Sequence, residues 1–486
     1  MSPGAPGAGA GAAKTGLGAG AKALIGGGVA LAVIGGGGAV AYVTDPLGFR
    51  SGGDDWIRQV PASATVVAGF DLNPDAGQKL EMLRFALKFP SVSENLSLTE
   101  GSDLRETLFS AIIEDHPSCS LTYAEDIEPW MGNQVGAFIP AGATNEWVLV
   151  LQAGAEAPAV AAVEQLGACG ALPGGSVTYT DGYVLAGSRD GAAEAAAAEA
   201  MTTSLADDPD YQEDRAKLGA SGVAMIWVDS EGLQQINDAS TSAMPELPVS
   251  ARSSAAVMRF SGGNLELVSV GKVVGEFPTR GVTKVGELPA DTAAAFGLAG
   301  GKEFVPMIQD LLTSQGMDLS TGTGLRMPQD LETILGDDFI FATDRFDPNN
   351  LQGPNDLPLG LVIDTDSAAL SSLIQQFNMM LGLPITHLDE GTLNYVSLSP
   401  SFAQQLQNPS GKLADQDGFK AAVAEPDKAQ VVMYVNVATF SDVLINELGS
   451  STTIHAGDIQ ALQALGMSAW DDGDDYQRAV LRVTAR

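Results

Sequence analysis

The stretch Asp126-Ile-Glu-Pro-Trp-Met-Gly-Asn-Gln-Val-Gly-Ala-Phe138 returns in altered form as Asp330-Leu-Glu-Thr-Ile-Leu-Gly-Asp-Asp-Phe-Ile-Phe-Ala342. Four further pairs of segments follow the same order along the chain: residues 60–70 with 288–298, 147–166 with 359–378, 223–228 with 431–436, and 255–270 with 469–483. Each match is weak, but their collinearity indicates two tandem homologous copies, at residues 55–285 and 286–486. A repeat of this length is a whole domain and not a solenoid unit. The sequence leaves open whether the copies are separate domains or join their sheets across a pseudo-two-fold axis.

The two copies differ in places that are candidates for specific function. The first two blocks lie farther apart in copy one, which therefore carries an insertion around residues 91–124. Copy two has the longer loop at residues 344–356, and Ile334 stands where copy one has Trp130. That replacement favours a packing role for Trp130 over a ligand contact.

Within each copy, the apolar residues alternate between a period of two and a period near 3.6. Residues 65–72 have the pattern of a strand, and Asp75 can cap a helix over residues 76–89 that ends before Pro90. Residues 176–187 are typical of a hairpin turned at Asp181-Gly182. Strand pairs separated by single helices predict an α+β fold in which each copy is a mainly antiparallel sheet with helices largely on one face.

The N-terminal region predicts a membrane anchor. Residues 1–22 are rich in Gly and Ala and cannot form a core, so they form a disordered tail. Residues 23–43 contain no charge and are long enough for a transmembrane helix, followed by a linker at 44–54. Lys14 and Lys22 place the N-terminus in the cytoplasm and the bulk of the chain outside, as a single-pass membrane protein. The alternative is a signal peptide cleaved near Ala41, which would give a secreted protein.

The charge and the cysteines are consistent with this location. The net charge of −35 argues against nucleic acid as a partner, because phosphate would be repelled. We interpret the acidity chiefly as a solvated surface. Cys119 and Cys169 are the only cysteines, and export makes a disulfide between them plausible. The alternative is two buried free thiols.

The chain contains no motif that predicts a catalytic or metal site, and it predicts no cofactor. His116, His387 and His455 lie in unrelated contexts without ligand spacing. The acidic loops at residues 344–356 and 471–475 lack the calcium-loop pattern, so turn chemistry is the favoured interpretation. A pair of catalytic carboxylates leaves no local motif, so a hydrolase stays an alternative.

Several segments together resemble a known family: the Gly-rich anchor, Trp56-Ile-Arg-Gln-Val-Pro-Ala-Ser-Ala64, Asp75-Ala-Gly-Gln-Lys-Leu80, and the Pro129-Trp130 turn. The chain is similar to an uncharacterised bacterial family of single-pass membrane proteins with a domain of unknown function. The resemblance implies architecture and location, and it brings no site residues. We therefore expect a non-enzymatic binding or scaffold protein of the cell envelope with an unidentified envelope protein or ligand as partner. The alternatives are a carrier or sensor of lipid or another apolar ligand, and a carboxylate-dependent envelope hydrolase.

Overall fold

A computed structural model describes most of the chain after the expected linker. The described residues are 55–95, 103–143, 146–172, 174–219, 222–232, 234, 250–274, 281–314, 324–345, 353–382, 384–448 and 455–486. The tail at 1–22, the transmembrane segment at 23–43, the cleavage site near Ala41 and the linker at 44–54 lie outside them. Within the described ranges, none of the helices has both the length and the apolar character that a membrane crossing requires.

The described residues form one sheet of sixteen strands, in which all neighbouring strands are antiparallel. The predicted antiparallel α+β class is therefore confirmed. The strands are β1 Val66–Asp71, β2 Met131–Ile139, β3 Val148–Ala153, β4 Ser176–Thr180, β5 Tyr183–Gly187, β6 Ala224–Asp229, β7 Ser250–Ser261, β8 Asn264–Val274, β9 Ala294–Ala299, β10 Asp338–Thr343, β11 Leu359–Asp364, β12 Thr386–Glu390, β13 Leu393–Ser397, β14 Val431–Val435, β15 Leu462–Gly473 and β16 Tyr476–Ala485.

Helices lie in the segments that connect these strands along the chain, and they cover the sheet. They are α1 Ala76–Ala86, α2 Pro90–Asn95, α3 Leu104–Glu114, α4 Glu156–Ala168, α5 Ala192–Ala200, α6 Pro209–Leu218, α7 Val305–Ser314, α8 Gln329–Leu335, α9 Ser367–Leu381, α10 Pro400–Gln407, α11 Asp417–Ala422, α12 Val437–Leu448 and α13 Ala456–Ala461. As expected, Asp75 caps α1, accepting a hydrogen bond from the backbone N–H of Gly77 at 2.8 Å. The helix ends at Ala86, earlier than the predicted residue 89, and Pro90 begins α2.

The strand order is the same in the two halves of the chain, which we call the first half (55–285) and the second half (286–486). From the sheet edge inward the first half runs β4-β5-β3-β2-β1-β6-β7-β8, and the second runs β12-β13-β11-β10-β9-β14-β15-β16. The halves meet where β8 pairs with β16, and Val268 lies directly opposite Val480. The two halves therefore share one continuous sheet.

Matching the strands of the two halves by their pairing partners gives a different register for two of the aligned segments. The alignment of 60–70 with 288–298 places Ala68 with Phe296. Ala68 lies opposite Ile226, and Phe296 lies opposite Met433, so pairing matches residue 226 with 433 and residue 224 with 431. The alignment of 223 with 431 was one residue out of register. The partners of residues 226 and 433 on the next strands, Ala256 of β7 and Met467 of β15, are matched in the same way. The alignment of 255 with 469 differs from this match by three residues. These strands are short apolar runs that match one another in several registers, and only the pairing partners fix the register.

The prediction that helices lie largely on one face is wrong. One face of the sheet, face A, carries Val67, Val150 and Tyr434 and packs against α5, α6, α10 and α11. The other, face B, carries Leu149 and Ile363 and packs against α1, α3, α4 and α9. Strands covered on both sides are apolar at every position, as β1 and β6 are over most of their length. The continuous apolar runs of these strands were the signal for a sheet covered on both faces.

The insertion of the first half forms α2, α3 and the loop that leads to Trp130. Phe109 of α3 belongs to the same core cluster as Leu121 and Trp130. The indole Nε1–H of Trp130 donates to the carbonyl oxygen of Asp126 at 2.6 Å, and the ring is buried. Trp130 therefore packs a turn, as the comparison of the two copies suggested.

In the structure a disulfide joins Cys119 of this insertion to Cys169 at the end of α4. We expect the purified protein to resist alkylation at both positions until it is reduced. While the two sulfurs are bonded to each other, neither of them is a thiolate that an alkylating reagent can attack. Intact-mass spectrometry of protein alkylated before and after reduction measures this. Two alkyl groups on the unreduced protein would contradict the bond.

Candidate apolar binding site

A row of large apolar side chains crosses face B of the second half. Its five members lie directly opposite one another on neighbouring strands: Leu361 of β11, Phe341 of β10, Phe296 of β9, Met433 of β14 and Met467 of β15. We call these residues the face-B row. Four of the five are Phe or Met, which are large and, for Met, readily adaptable in shape.

The face-B row is only partly covered. Phe341 is 36% exposed, and the other four members are half-buried. On β9 and β14, buried residues of face A alternate with half-buried residues of face B. Face A is therefore a closed core here, whereas face B leaves apolar area in contact with water.

The matching row of the first half is closed. Strand pairing gives its members as Leu149, Ala137, Ala68, Ile226 and Ala256. All five are buried, and none exceeds 7% exposure. Three alanines thus occupy positions where the second half has two phenylalanines and a methionine. The second half has larger apolar side chains at these positions and covers them less.

The length of the face-B row suits a linear apolar molecule. Neighbouring strands lie about 4.8 Å apart, so a row across five strands spans about 19 Å. The hydrocarbon core of a bilayer is about 30 Å thick, so one lipid chain is about 15 Å long. One acyl chain therefore fits along the row.

Helices with few charges flank the row on face B. On one side, α9 packs Leu370 and Ile374 against a cluster that includes Phe339 and Leu361. On the other side, α12 contacts β15 and α13, and its apolar residues between positions 437 and 445 are half-buried. The sequence of α9 contains no charged residue, and that of α12 contains two, Asp442 and Glu447. The helices beside the row are therefore poor in charge, and the row itself is apolar.

A second cluster, of carboxylates, lies on face A at the start of β10. Asp338 is directly opposite Asp364, where the first half has Gln134 and Gln152. The Lys284 ammonium lies 3.0 Å from Asp364 Oδ2, and the Lys284 backbone N–H donates to Asp338 Oδ2 at 3.0 Å. Burial raises the pKa of Asp338. Burial also raises the pKa of Asp364, but hydrogen bonds from Thr392 and Lys284 outweigh it and leave that pKa below its ordinary value.

This carboxylate pair does not resemble the open cleft that a hydrolase requires. Asp338 is only 6% exposed, so a polymeric substrate has no direct access to it. The ion pair and the backbone hydrogen bond hold the chain in place at Lys284, just before the second half begins. We interpret the cluster as a structural link.

The three histidines remain apart. His116 Nδ1 lies 2.8 Å from the carbonyl oxygen of Ile112, His387 Nε2 lies 2.8 Å from Asn394 Oδ1, and exposed His455 precedes α13. Over the residues that the structure describes, no group of three His, Cys, Asp or Glu side chains could hold a metal ion.

The acidic loops serve as turns and ion pairs where they are described. At the β15–β16 tip, Asp471 accepts from the Gly473 N–H at 2.8 Å, and Asp474 pairs with Lys217 at 2.8 Å. In the other loop, Asp356 Oδ2 accepts from the Gly353 N–H at 3.1 Å. Residues 346–352 lie outside the described part. These contacts match the turn chemistry that the sequence favoured.

Comparison with known proteins adds little to this geometry. No family model and no curated protein matches the chain. Two solved structures are similar to part of it: crystal form III of TP0453, with 10% identity and a TM-score of 0.26, and crystal form I of TP0453, with 12% identity and a TM-score of 0.25. Each match covers 46% of this chain and 82% or 81% of the other. Likeness this low carries no argument about fold or function.

Proposed function

We propose that this chain is a membrane-anchored, extracytoplasmic, non-enzymatic carrier or sensor that binds the apolar chain of a lipid along the face-B row. The observation that carries the proposal is the contrast between the two halves. At the five matched positions, the first half has buried side chains, three of them alanines, and the second half has large side chains that are only partly buried. The proposal includes two tandem homologous copies at 55–285 and 286–486, an anchor at 23–43, and membership of the bacterial family that the chain resembles.

The energetics favour a ligand on the row. Burying a Phe, Met or Leu side chain completely stabilises a protein by about 1.5–3 kcal/mol relative to leaving it exposed. The face-B row has realised only part of that gain. A bound chain would cover most of the row and recover much of the rest, without a conformational change of the sheet.

The other two expectations have less support. A scaffold that binds an envelope protein is compatible with the architecture, but no particular described surface favours a protein over a lipid. The hydrolase alternative depends on paired carboxylates in an open cleft, and in the Asp338–Asp364 pair Asp338 is buried and Asp364 is bound to Lys284. We therefore propose the carrier or sensor first.

Replacing Phe341 by glutamate is expected to weaken lipid binding at least about tenfold, because a carboxylate in the middle of the row would have to be desolvated by the bound chain. The measurement is titration of the purified full chain with a fluorescent fatty acid. Mass spectrometry of lipids extracted from the same preparation identifies any natural ligand. The melting temperature should change little, since Phe341 is 36% exposed.

Leu80→Glu is the matched control. Leu80 lies on α1 of the first half and is 37% exposed, so the same charge is introduced at equal exposure but away from the row. This variant should bind the fatty acid as the unaltered chain does. Equal affinity in both variants, or an unaltered chain that neither carries lipid nor binds the probe, would rule out the proposed site.

A further inference from the structure

We infer that the C-terminal end of α9, at Met379 and Met380, is a membrane-contacting tip that inserts into the surface of a lipid bilayer. The inference shares the membrane location of the proposed function, but it does not require a lipid on the face-B row.

The tip exposes apolar area to water. Met379 is 82% exposed, the highest value for a large apolar side chain among the described residues, and Met380 is 45% exposed. The two are consecutive in the last turn of the helix, which ends at Leu381 and is capped by Gly382 with a positive φ of 64°. Two exposed methionines at the end of a helix form a local apolar protrusion. Transfer of such side chains from water to an apolar phase is favourable.

The absence of charge in the segment that contains the tip favours a bilayer as its partner. Residues 367–386 contain no Asp, Glu, Lys or Arg, although the whole chain has 60 acidic and 25 basic residues. Anionic lipids repel the acidic surface of a protein with a net charge of −35. The uncharged segment can enter the interface without that repulsion and without desolvating a charged group.

The position of the tip connects the bilayer to the face-B row. Leu370 and Ile374, earlier in the same helix, pack in one cluster with Phe339 and Leu361 of the sheet. Leu361 is itself a member of the row. One helix therefore carries the exposed methionines at its C-terminal end and, earlier in its sequence, two residues that pack beside the candidate binding site.

The expected anchor also keeps the folded part of the chain near a membrane. If residues 23–43 span the bilayer, the linker at 44–54 extends to at most about 38 Å. The folded part then stays close to the membrane surface at a high local concentration, so even a weak contact of two side chains becomes populated.

Site-specific fluorescence in vesicles tests the inference. The full chain is reconstituted in phosphatidylcholine vesicles after Met379→Cys, and the new thiol is labelled with an environment-sensitive dye, since Cys119 and Cys169 are joined to each other. Nitroxide-labelled phosphatidylcholine is then added as a quencher within the bilayer. Met201→Cys is the matched control. Met201 is 79% exposed and directly follows α5, which lies on face A.

We expect quenching at position 379 to exceed quenching at position 201 by at least about twofold, because only the former dye enters the hydrocarbon. Equal quenching at both positions would overturn the inference. The inference would also be overturned if the dye at 379 were shielded from water and crosslinked to a second copy but not quenched by lipid. That result would assign the tip to self-association.

Adding Phe341→Glu to the labelled chain separates this inference from the proposed function. Loss of fatty-acid binding with unchanged quenching at 379 would leave both intact. Quenching at 379 in a chain that never binds lipid would preserve the tip and remove the lipid site.

Discussion

Replacing Asp214 by alanine is expected to lower the free energy of unfolding by about 2–6 kcal/mol, because two buried donors lose their acceptor, at about 1–3 kcal/mol each. Asp214 lies on α6 and is fully buried. Its carboxylate accepts from Trp227 Nε1 at 2.8 Å and from the Tyr476 hydroxyl at 2.7 Å. Trp227 belongs to the first half and Tyr476 to β16 of the second. One carboxylate thus links a helix to strands of both halves.

Chemical denaturation followed by circular dichroism measures the effect. Asp210→Ala on the same helix is the control, because Asp210 pairs at 2.7 Å with Arg252, whose side chain is 61% exposed. An exposed pair of this kind is worth about 0–1 kcal/mol. A loss for Asp214→Ala no larger than the loss for Asp210→Ala would show that the buried network is not important for stability.

The pH dependence provides a separate test of the same group. Burial raises the pKa of Asp214 above its ordinary value of 3.8, although hydrogen bonds from Tyr476 and Trp227 oppose the shift. The folded state therefore binds the proton more tightly than the unfolded chain does. The stabilisation that comes from protonation of Asp214 is fully present below pH 3.8 and is lost as the pH rises through the folded-state pKa.

The Asp214→Asn variant lacks this proton. As the pH rises from 4 to 7, the stability of the variant relative to the unaltered chain should increase. Denaturation of both proteins at each pH gives the difference, in which the titration of the other carboxylates cancels. A difference that is constant with pH, or that decreases as the pH rises, would mean that the pKa of Asp214 is not raised in the folded state.

The sequence supported the class of fold because the determinants are local. Asp181-Gly182 sets a tight turn, and the hairpin β4–β5 lies at the predicted residues 176–180 and 183–187. Asp75 begins α1 as expected. These features depend on backbone preferences within a few residues. The side of the sheet on which each helix packs depends on contacts between distant segments, and that prediction failed.

The same distinction explains the candidate site. Phe339 and Phe341 lie within the repeated stretch, where the first half has Val135 and Ala137. The exchange of small for aromatic residues on one face of a strand was therefore visible in the sequence. The sequence did not show what the exchange means for the structure, because larger residues at core positions ordinarily indicate a larger core. Only the neighbours on β9 and β14 and the exposure of these side chains in the structure identify a surface that is left partly uncovered.

Trp56 is the residue whose loss we expect to be most damaging in the first half. It is 1% exposed and belongs to the face-A core. Its indole lies over Gly69 and Gly136, which are directly opposite each other on β1 and β2. Trp56→Ala should cost about 3–5 kcal/mol, since it leaves a cavity the size of the ring. Denaturation followed by circular dichroism measures this without relying on the deleted fluorophore.

Gly136→Ala tests the same contact from the opposite side. A Cβ at this position would overlap the Trp56 ring, so the substitution should destabilise by about 1–3 kcal/mol or more. Gly154→Ala is the control, because its Cβ would have the carbonyl oxygen of Trp130 at 3.8 Å, an ordinary contact. In the Trp56→Ala background the added methyl group should enter the vacated space and cost far less. A double-mutant cycle with no coupling between positions 56 and 136 would contradict the packing, since residues in direct contact do not contribute additively.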